Sequence, residues 1–89
     1  MNKHEFEITA ALNNHDGLTG YGISKFVKEN FHHILGFGTL YYTLDKLVES
    51  GKIIRTKEPP DNNLPESLQS VRITYKLNRE AFKNDKERS

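Results

Sequence analysis

The chain has no cysteine and no tryptophan, and only three prolines and one methionine in 89 residues. Without cysteine there is no disulfide framework, no thiolate zinc site and no thiol nucleophile. Packing alone must therefore hold the fold, in keeping with a reducing, cytoplasmic setting. No apolar run approaches the ~18 residues of a membrane span, and Lys3, His4, Glu5 and Glu7 break up the stretch where a leader would be apolar. Neither export nor membrane insertion is expected. Charge of one sign is also missing: 13 basic and 12 acidic side chains leave a net charge of +1. The pI of about 8.0 lies below the ~9 typical of strongly basic nucleic-acid binders.

What is present suffices for one small domain. Leu, Ile, Val and Phe make up about a quarter of the chain, above the roughly one-fifth below which sequences stay disordered. A chain this short buries only about 60 to 65% of its unfolded surface, which leaves little interior for a deep catalytic pocket. We expect one domain over residues 1–83 and a charged, frayed tail over 84–89.

Ile8, Ala11 and Leu12 recur at helical spacing between Lys3 and Asn14, with Phe6 on a neighbouring face and a stop at Asn13, Asn14, Asp16 and Gly17. Leu18 and Thr19 then form a short extended link. After a Gly20, Tyr21, Gly22 turn, the residues Ile23, Phe26, Val27 and Phe31 predict a second helix ending near His32. The third helix has the clearest pattern: Phe37, Leu40, Tyr41, Leu44, Leu47 and Val48 fall within an arc of roughly 120°, and Gly51 closes it.

Beyond Gly51 the period changes from helical to alternating. Ile53 and Ile54 open a strand running to about Lys57. Val71, Ile73, Tyr75 and Leu77 alternate with Arg72, Thr74 and Lys76 in a second strand with a basic outer face. Between the strands, Pro59, Pro60, Asp61, Asn62, Asn63, Leu64 and Pro65 are too proline-rich for a tight turn and suggest a floppy tip. Asn78 is placed to cap a last short helix carrying Ala81 and Phe82.

Three helices, a two-stranded hairpin and a short C-terminal helix, with the cleanest helix third, define an α+β, mainly α, winged helix-turn-helix. Such a helix can enter a major groove while the hairpin wing meets the adjacent phosphates. The charge distribution suits this. Lys52, Arg55 and Lys57 lie in one acid-free segment and Arg72, Lys76 and Arg79 in another, with Glu58, Asp61 and Glu66 between them.

The sequence also resembles the PadR-like family of winged-helix transcriptional regulators. The resemblance rests on Gly20-Tyr21-Gly22-Ile23, on Gly38-Thr39-Leu40-Tyr41-Tyr42-Thr43-Leu44-Asp45-Lys46-Leu47, on Glu49-Ser50-Gly51-Lys52-Ile53 and on Tyr75-Lys76-Leu77-Asn78. It covers roughly residues 8 to 82, and the central block is its most specific part. Asn78 stands where the family has threonine, and Glu80 and Ala81 replace a usual glycine. Family members continue into a C-terminal helical region used for dimerisation, whereas here about ten residues follow the wing. The resemblance implies DNA binding more directly than it implies that dimer.

The expected activity is sequence-specific binding of double-stranded DNA by a transcriptional regulator, a repressor rather than an enzyme. Thr39, Tyr42, Thr43 and Lys46 lie on the polar arc of the third helix and are the candidate base and phosphate readers. Tyr41 is expected to pack in the core with its hydroxyl at the rim, where the resemblance implies a phosphate contact. Arg55, Lys57, Arg72 and Lys76 are candidate wing contacts, against the simpler reading that hairpins carry charge to block edge pairing. Lys25 and Lys28 on the second helix are candidate backbone contacts. A homodimer is expected, with Phe6 or the last helix as its contact, although Phe6 could equally complete the core.

No metal or cofactor is expected. His32 and His33 point about 100° apart on a helix and do not converge on one ion, and His15-Asp16 reads as turn chemistry. Gly36-Phe37-Gly38 is too short for a phosphate loop and lacks its lysine. No serine, histidine and acid group is spaced so as to single out a triad. The alternative function is a protein-interaction module on the same fold, which the near-neutral charge favours. The sequence does not identify an operator or a small-molecule effector.

Overall fold

The computed structural model describes residues 2–58, 63, 65 and 72–81. Helix α1 spans Lys3–Asn13, and a reciprocal capping box starts it. The Glu5 amide donates to Asn2 Oδ1 (2.9 Å) and the Asn2 amide to Glu5 Oε2 (3.3 Å), so two otherwise unpaired amides are satisfied. Helix α2 spans Gly20–Phe31, so Gly20, Tyr21 and Gly22 form its first turn rather than a turn before it. Thr19 explains the earlier start, because its hydroxyl accepts from the Gly22 amide at 3.1 Å and caps the helix. Helix α2 ends at His32, whose φ of 59° is left-handed.

Helix α3 spans Phe37–Glu49. Gly51 follows its Ser50 cap at φ 81°, a conformation that costs glycine little. Strand β1, Ile53–Glu58, pairs antiparallel with strand β2, Arg72–Leu77, with Ile53 opposite Leu77 and Glu58 opposite Arg72. Asn78 closes the hairpin base: its amide donates to the Lys52 carbonyl at 2.9 Å and its side chain to the Gly51 carbonyl at 2.8 Å. Residues 79–81 are helical. Val71, Phe82, the proline-rich tip apart from Asn63 and Pro65, and the tail from Asn84 lie outside the described residues.

The link before α2 is more than a link. Leu18 and Tyr75 exchange backbone hydrogen bonds of 2.9 and 2.7 Å, which adds a rung on the free edge of β2. At this level β2 is the central strand, and both Thr74 and Tyr75 are buried although they point to opposite faces. Farther out the alternation fades. Ile73, expected inside, is exposed because it pairs with Lys57 beyond the helical body.

The core joins Ile8, Ala11 and Leu12 of α1, Ile23 and Val27 of α2, Leu35, Leu40, Leu44 and Leu47 around α3, and Ile53 and Tyr75 of the hairpin. Helix α3 does not present its expected face. The buried set is Leu40, Thr43, Leu44 and Leu47, while Phe37 and Tyr41 are exposed. At about 100° per residue, the helix is turned by about 50° from the centre of the apolar arc. Three leucines decide the phase. Thr43 can follow them inward because its hydroxyl donates to the Thr39 carbonyl at 2.8 Å, so no polar group is stranded.

Candidate nucleic-acid interface

The turn of α3 decides which side chains reach solvent. Phe37, Gly38, Thr39, Tyr41, Tyr42, Asp45, Lys46 and Glu49 are exposed. Thr43, expected among the readers, is buried at 5% exposure and belongs to the folding face. Tyr42 is 65% exposed, and the Lys46 ammonium sits 5.3 Å from its ring centroid. A cation over an exposed ring contributes about 0.5–1 kcal/mol, enough to bias where Lys46 points. Thr39, Tyr42 and Lys46 therefore remain together on the outward side of α3.

Tyr41 is half out of the core rather than in it. Its ring stacks on Phe37, with centroids 6.3 Å apart. Its hydroxyl lies so near the start of α2 that a Cβ on Gly20 would come within 2.3 Å of it. Gly20 is thus small because Tyr41 crosses over it. The phenol ends at the N-terminus of α2, where helix geometry concentrates partial positive charge.

The wing cations do not act as a set. Cross-strand register puts Arg55 opposite Tyr75 and Lys57 opposite Ile73, on the face toward α3, whereas Arg72 and Lys76 share the opposite face with Glu58 and Ile54. Arg55 is engaged internally. Its Nη2 donates to Asp45 Oδ1 on α3, and its guanidinium lies 5.7 Å from the Tyr75 ring centroid. The interaction with Tyr75 first, and after it the pairing with Asp45, hold the Arg55 pKa above its ordinary value. Lys57, Arg72 and Lys76 are exposed. On α2, Lys25 pairs loosely with Glu29 at 4.0 Å and Lys28 is exposed.

Several participants were not singled out from the sequence. Asp45 and Glu49 place acid on the C-terminal half of the outward face of α3, beside Lys46. The signal available for the Asp45–Arg55 pair was the alternation of β1, which puts Arg55 on the same face as the buried Ile53. Tyr21 in the first turn of α2 and Ile34 between α2 and α3 are 70% and 77% exposed, and neither was placed on this surface from the sequence. His33, away from this surface, bonds through Nε2 to the buried carboxylate of Glu7. Among the described residues no cluster of His, Asp and Glu is arranged to hold a metal ion, and no helix is long and apolar enough to cross a membrane.

Two solved structures are similar to this chain. One, from Thermoplasma acidophilum and described as a candidate transcriptional regulator, has a TM-score of 0.69 at 19% identity, covering 90% of this chain and 69% of its own. The other, a transcriptional regulator from Clostridium thermocellum, has a TM-score of 0.69 at 22% identity, covering 94% of this chain and 76% of its own. No protein-family model matches the sequence, and neither does any curated protein. Three helices packed on a two-stranded antiparallel hairpin, in the order and arrangement of these regulators, make this chain a winged helix.

Proposed function

We propose that this chain is a sequence-specific, double-stranded-DNA-binding transcriptional regulator of the PadR-like type, acting as a repressor by occupying its operator. One domain over residues 1–83 would carry the activity. The observation that supports this best is the outward face of α3: Thr39, Tyr42 and Lys46 are exposed beside one another while the leucines beneath them hold the fold. In a helix-turn-helix it is the N-terminal part of the second helix of the motif that meets base edges, and here the acids Asp45 and Glu49 sit farther along. Lys57, Arg72 and Lys76 on the wing and Lys28 on α2 are the phosphate contacts in this reading, with the Tyr41 hydroxyl joining them at the α2 N-terminus. Regulators of known structure share the fold.

Each base contact discriminates by only about 1–3 kcal/mol, so one short reading helix gains from a two-fold partner. We therefore propose a homodimer through α1. Phe6 is 57% exposed there and meets Phe31 edge-on at 6.2 Å.

Selection of bound sequences from a random duplex pool, followed by titration at several salt concentrations, tests the reading. With roughly four to six phosphates neutralised per protomer, log affinity should fall against log salt with a slope of about −3.5 to −5.5. An affinity that is flat between low and moderate salt would contradict it. A second reading, a protein-docking module, is favoured by the exposed Tyr21, Ile34 and Phe37 together with the net charge of +1. It predicts no enriched sequence in the same selection.

A further inference from the structure

The N-terminal half of the outward face of α3 carries ring surface and no charge, and what the helix lacks narrows what it can meet. Between Phe37 and Glu49 there is no Arg, Asn, Gln or His. Bidentate readout of guanine by arginine, or of adenine by asparagine or glutamine, is therefore closed to it. Lys46 leans on Tyr42, and Asp45 is held by Arg55. What remains near the N-terminal half is mainly aromatic surface: the stacked Phe37 and Tyr41, and Tyr42.

Gly38 lies among them, in the first turn of α3, and the fold gives no reason for a glycine there. Its φ is not positive, and a Cβ built on it would meet nothing within 4 Å. Glycine in a helix is less stable than alanine by roughly 0.5–1 kcal/mol. Gly36 has equal space but sits at the N-cap, where glycine is favoured. Gly20 is explained by Tyr41. Gly38 alone leaves bare backbone on a solvent-facing helix with no internal partner. Such a gap suits a ligand surface that comes close to the backbone.

We propose that Gly38, bordered by Tyr42 one helical turn on and by the stacked Phe37–Tyr41 pair on its other side, forms a shallow apolar shelf that receives thymine C5-methyl groups, so that the operator is read at T·A pairs through their methyls. This rests on the proposed DNA-binding function and names what that surface recognises. The thymine methyl is the one apolar group that base pairs present in the major groove. Burying a methyl-sized group changes affinity by about fourfold at room temperature.

The test uses the duplex recovered by pool selection and the same duplex with deoxyuridine replacing thymine one position at a time, which deletes only the methyl. Affinity should fall about fourfold at one or two T·A positions per half-site. The penalty should shrink toward none in Tyr42→Ala. Gly38→Ala, which fills the shelf, should melt at the same temperature or up to a few degrees higher, yet bind the thymine duplex several-fold more weakly and lose the uracil penalty. Lys57→Ala should weaken binding while keeping that penalty, which separates methyl reading from phosphate attraction. Uracil duplexes bound as tightly as thymine duplexes would overturn the shelf and leave DNA binding intact, as would a uracil penalty undiminished in both Tyr42→Ala and Gly38→Ala. Failure to enrich any duplex at low salt would remove the DNA-binding reading and the shelf with it.

Discussion

Replacing Asp45 by asparagine should strengthen DNA binding, although it breaks the ion pair joining α3 to the wing. In the free protein Arg55 is committed to Asp45 and packs near Tyr75. The Asp45 and Arg55 side chains are 65% and 37% exposed, and pairs this open contribute about 0.2–1 kcal/mol. The loss of stability should stay inside that range. Asparagine removes a negative charge from the surface that meets DNA in the proposed reading and releases a guanidinium at its edge. Each added phosphate contact steepens the salt dependence by about 0.9 in log–log slope. Over a fourfold rise in salt, the variant should therefore lose about 3.5-fold more affinity than the parent while binding more tightly at the low-salt end. Arg55 stays charged throughout, since Tyr75 and Asp45 both act to raise its pKa, so the difference should not vary with pH across the neutral range. Fluorescence anisotropy with the selected duplex measures it, and Arg55→Ala in both backgrounds completes the cycle. The reasoning requires Arg55→Ala to matter more in the Asp45→Asn background. Equal losses in both, with the slope unchanged, would refute it, because Arg55 would then already leave Asp45 for phosphate on binding.

Leu44→Ala, at a fully buried position, should cost about 2–5 kcal/mol in chemical denaturation, a large share of the stability of so small a domain. Tyr42→Ala should leave the melting temperature nearly unchanged; unfolding by that variant would contradict the exposed placement of Tyr42. Glu7, 1% exposed, relies on His33. His33→Leu should therefore cost about 1–3 kcal/mol by stranding a buried acceptor, and the double variant Glu7→Leu/His33→Leu should recover most of the loss. For the dimer, light scattering at micromolar concentration should give twice the monomer mass, and Phe6→Glu should halve it. A monomer both free and on DNA would exclude the dimer, and a dimer surviving Phe6→Glu would exclude only the α1 contact.

The element order was legible because the first and third helices carry their own stops and the period changes after Gly51. The departures have two causes, a local cap and tertiary partners acting on weakly patterned residues. The start of α2 moved to Gly20 because a threonine cap outweighs the low helical preference of two glycines. Leu18 became a strand rung because β2 offered a free edge, and no local signal in a two-residue link announces a partner at Tyr75. The buried Glu7 sits on the apolar side of α1, yet a carboxylate there is intelligible only once His33, 26 residues away, is brought against it.

The candidate site was less legible than the fold because side chains at the margin of an amphipathic arc are assigned by a small rotation. Phe37 and Tyr41 are more apolar than Thr43, and hydropathy alone turns them inward. The packing follows Leu40, Leu44 and Leu47 instead, since these fill the space against α1 and β1, and a threonine that bonds its own helix carbonyl can be buried at little cost. The same rotation explains the surface. An inward Phe37 would have left a polar face with Lys46 as its main feature, whereas an outward Phe37 beside Gly38 and Tyr42 makes an apolar one. On the wing, β-strand alternation splits the cations between two faces, so Arg55 is spent on Asp45 while Lys57, Arg72 and Lys76 stay in solvent. The exposed cations Lys57, Arg72 and Lys76 thus lie on the wing, and the exposed rings of Phe37, Tyr41 and Tyr42 on the N-terminal half of α3. In the proposed DNA-binding reading, phosphate attraction and base recognition are then carried by different elements, and a substitution in one should leave the other measurable.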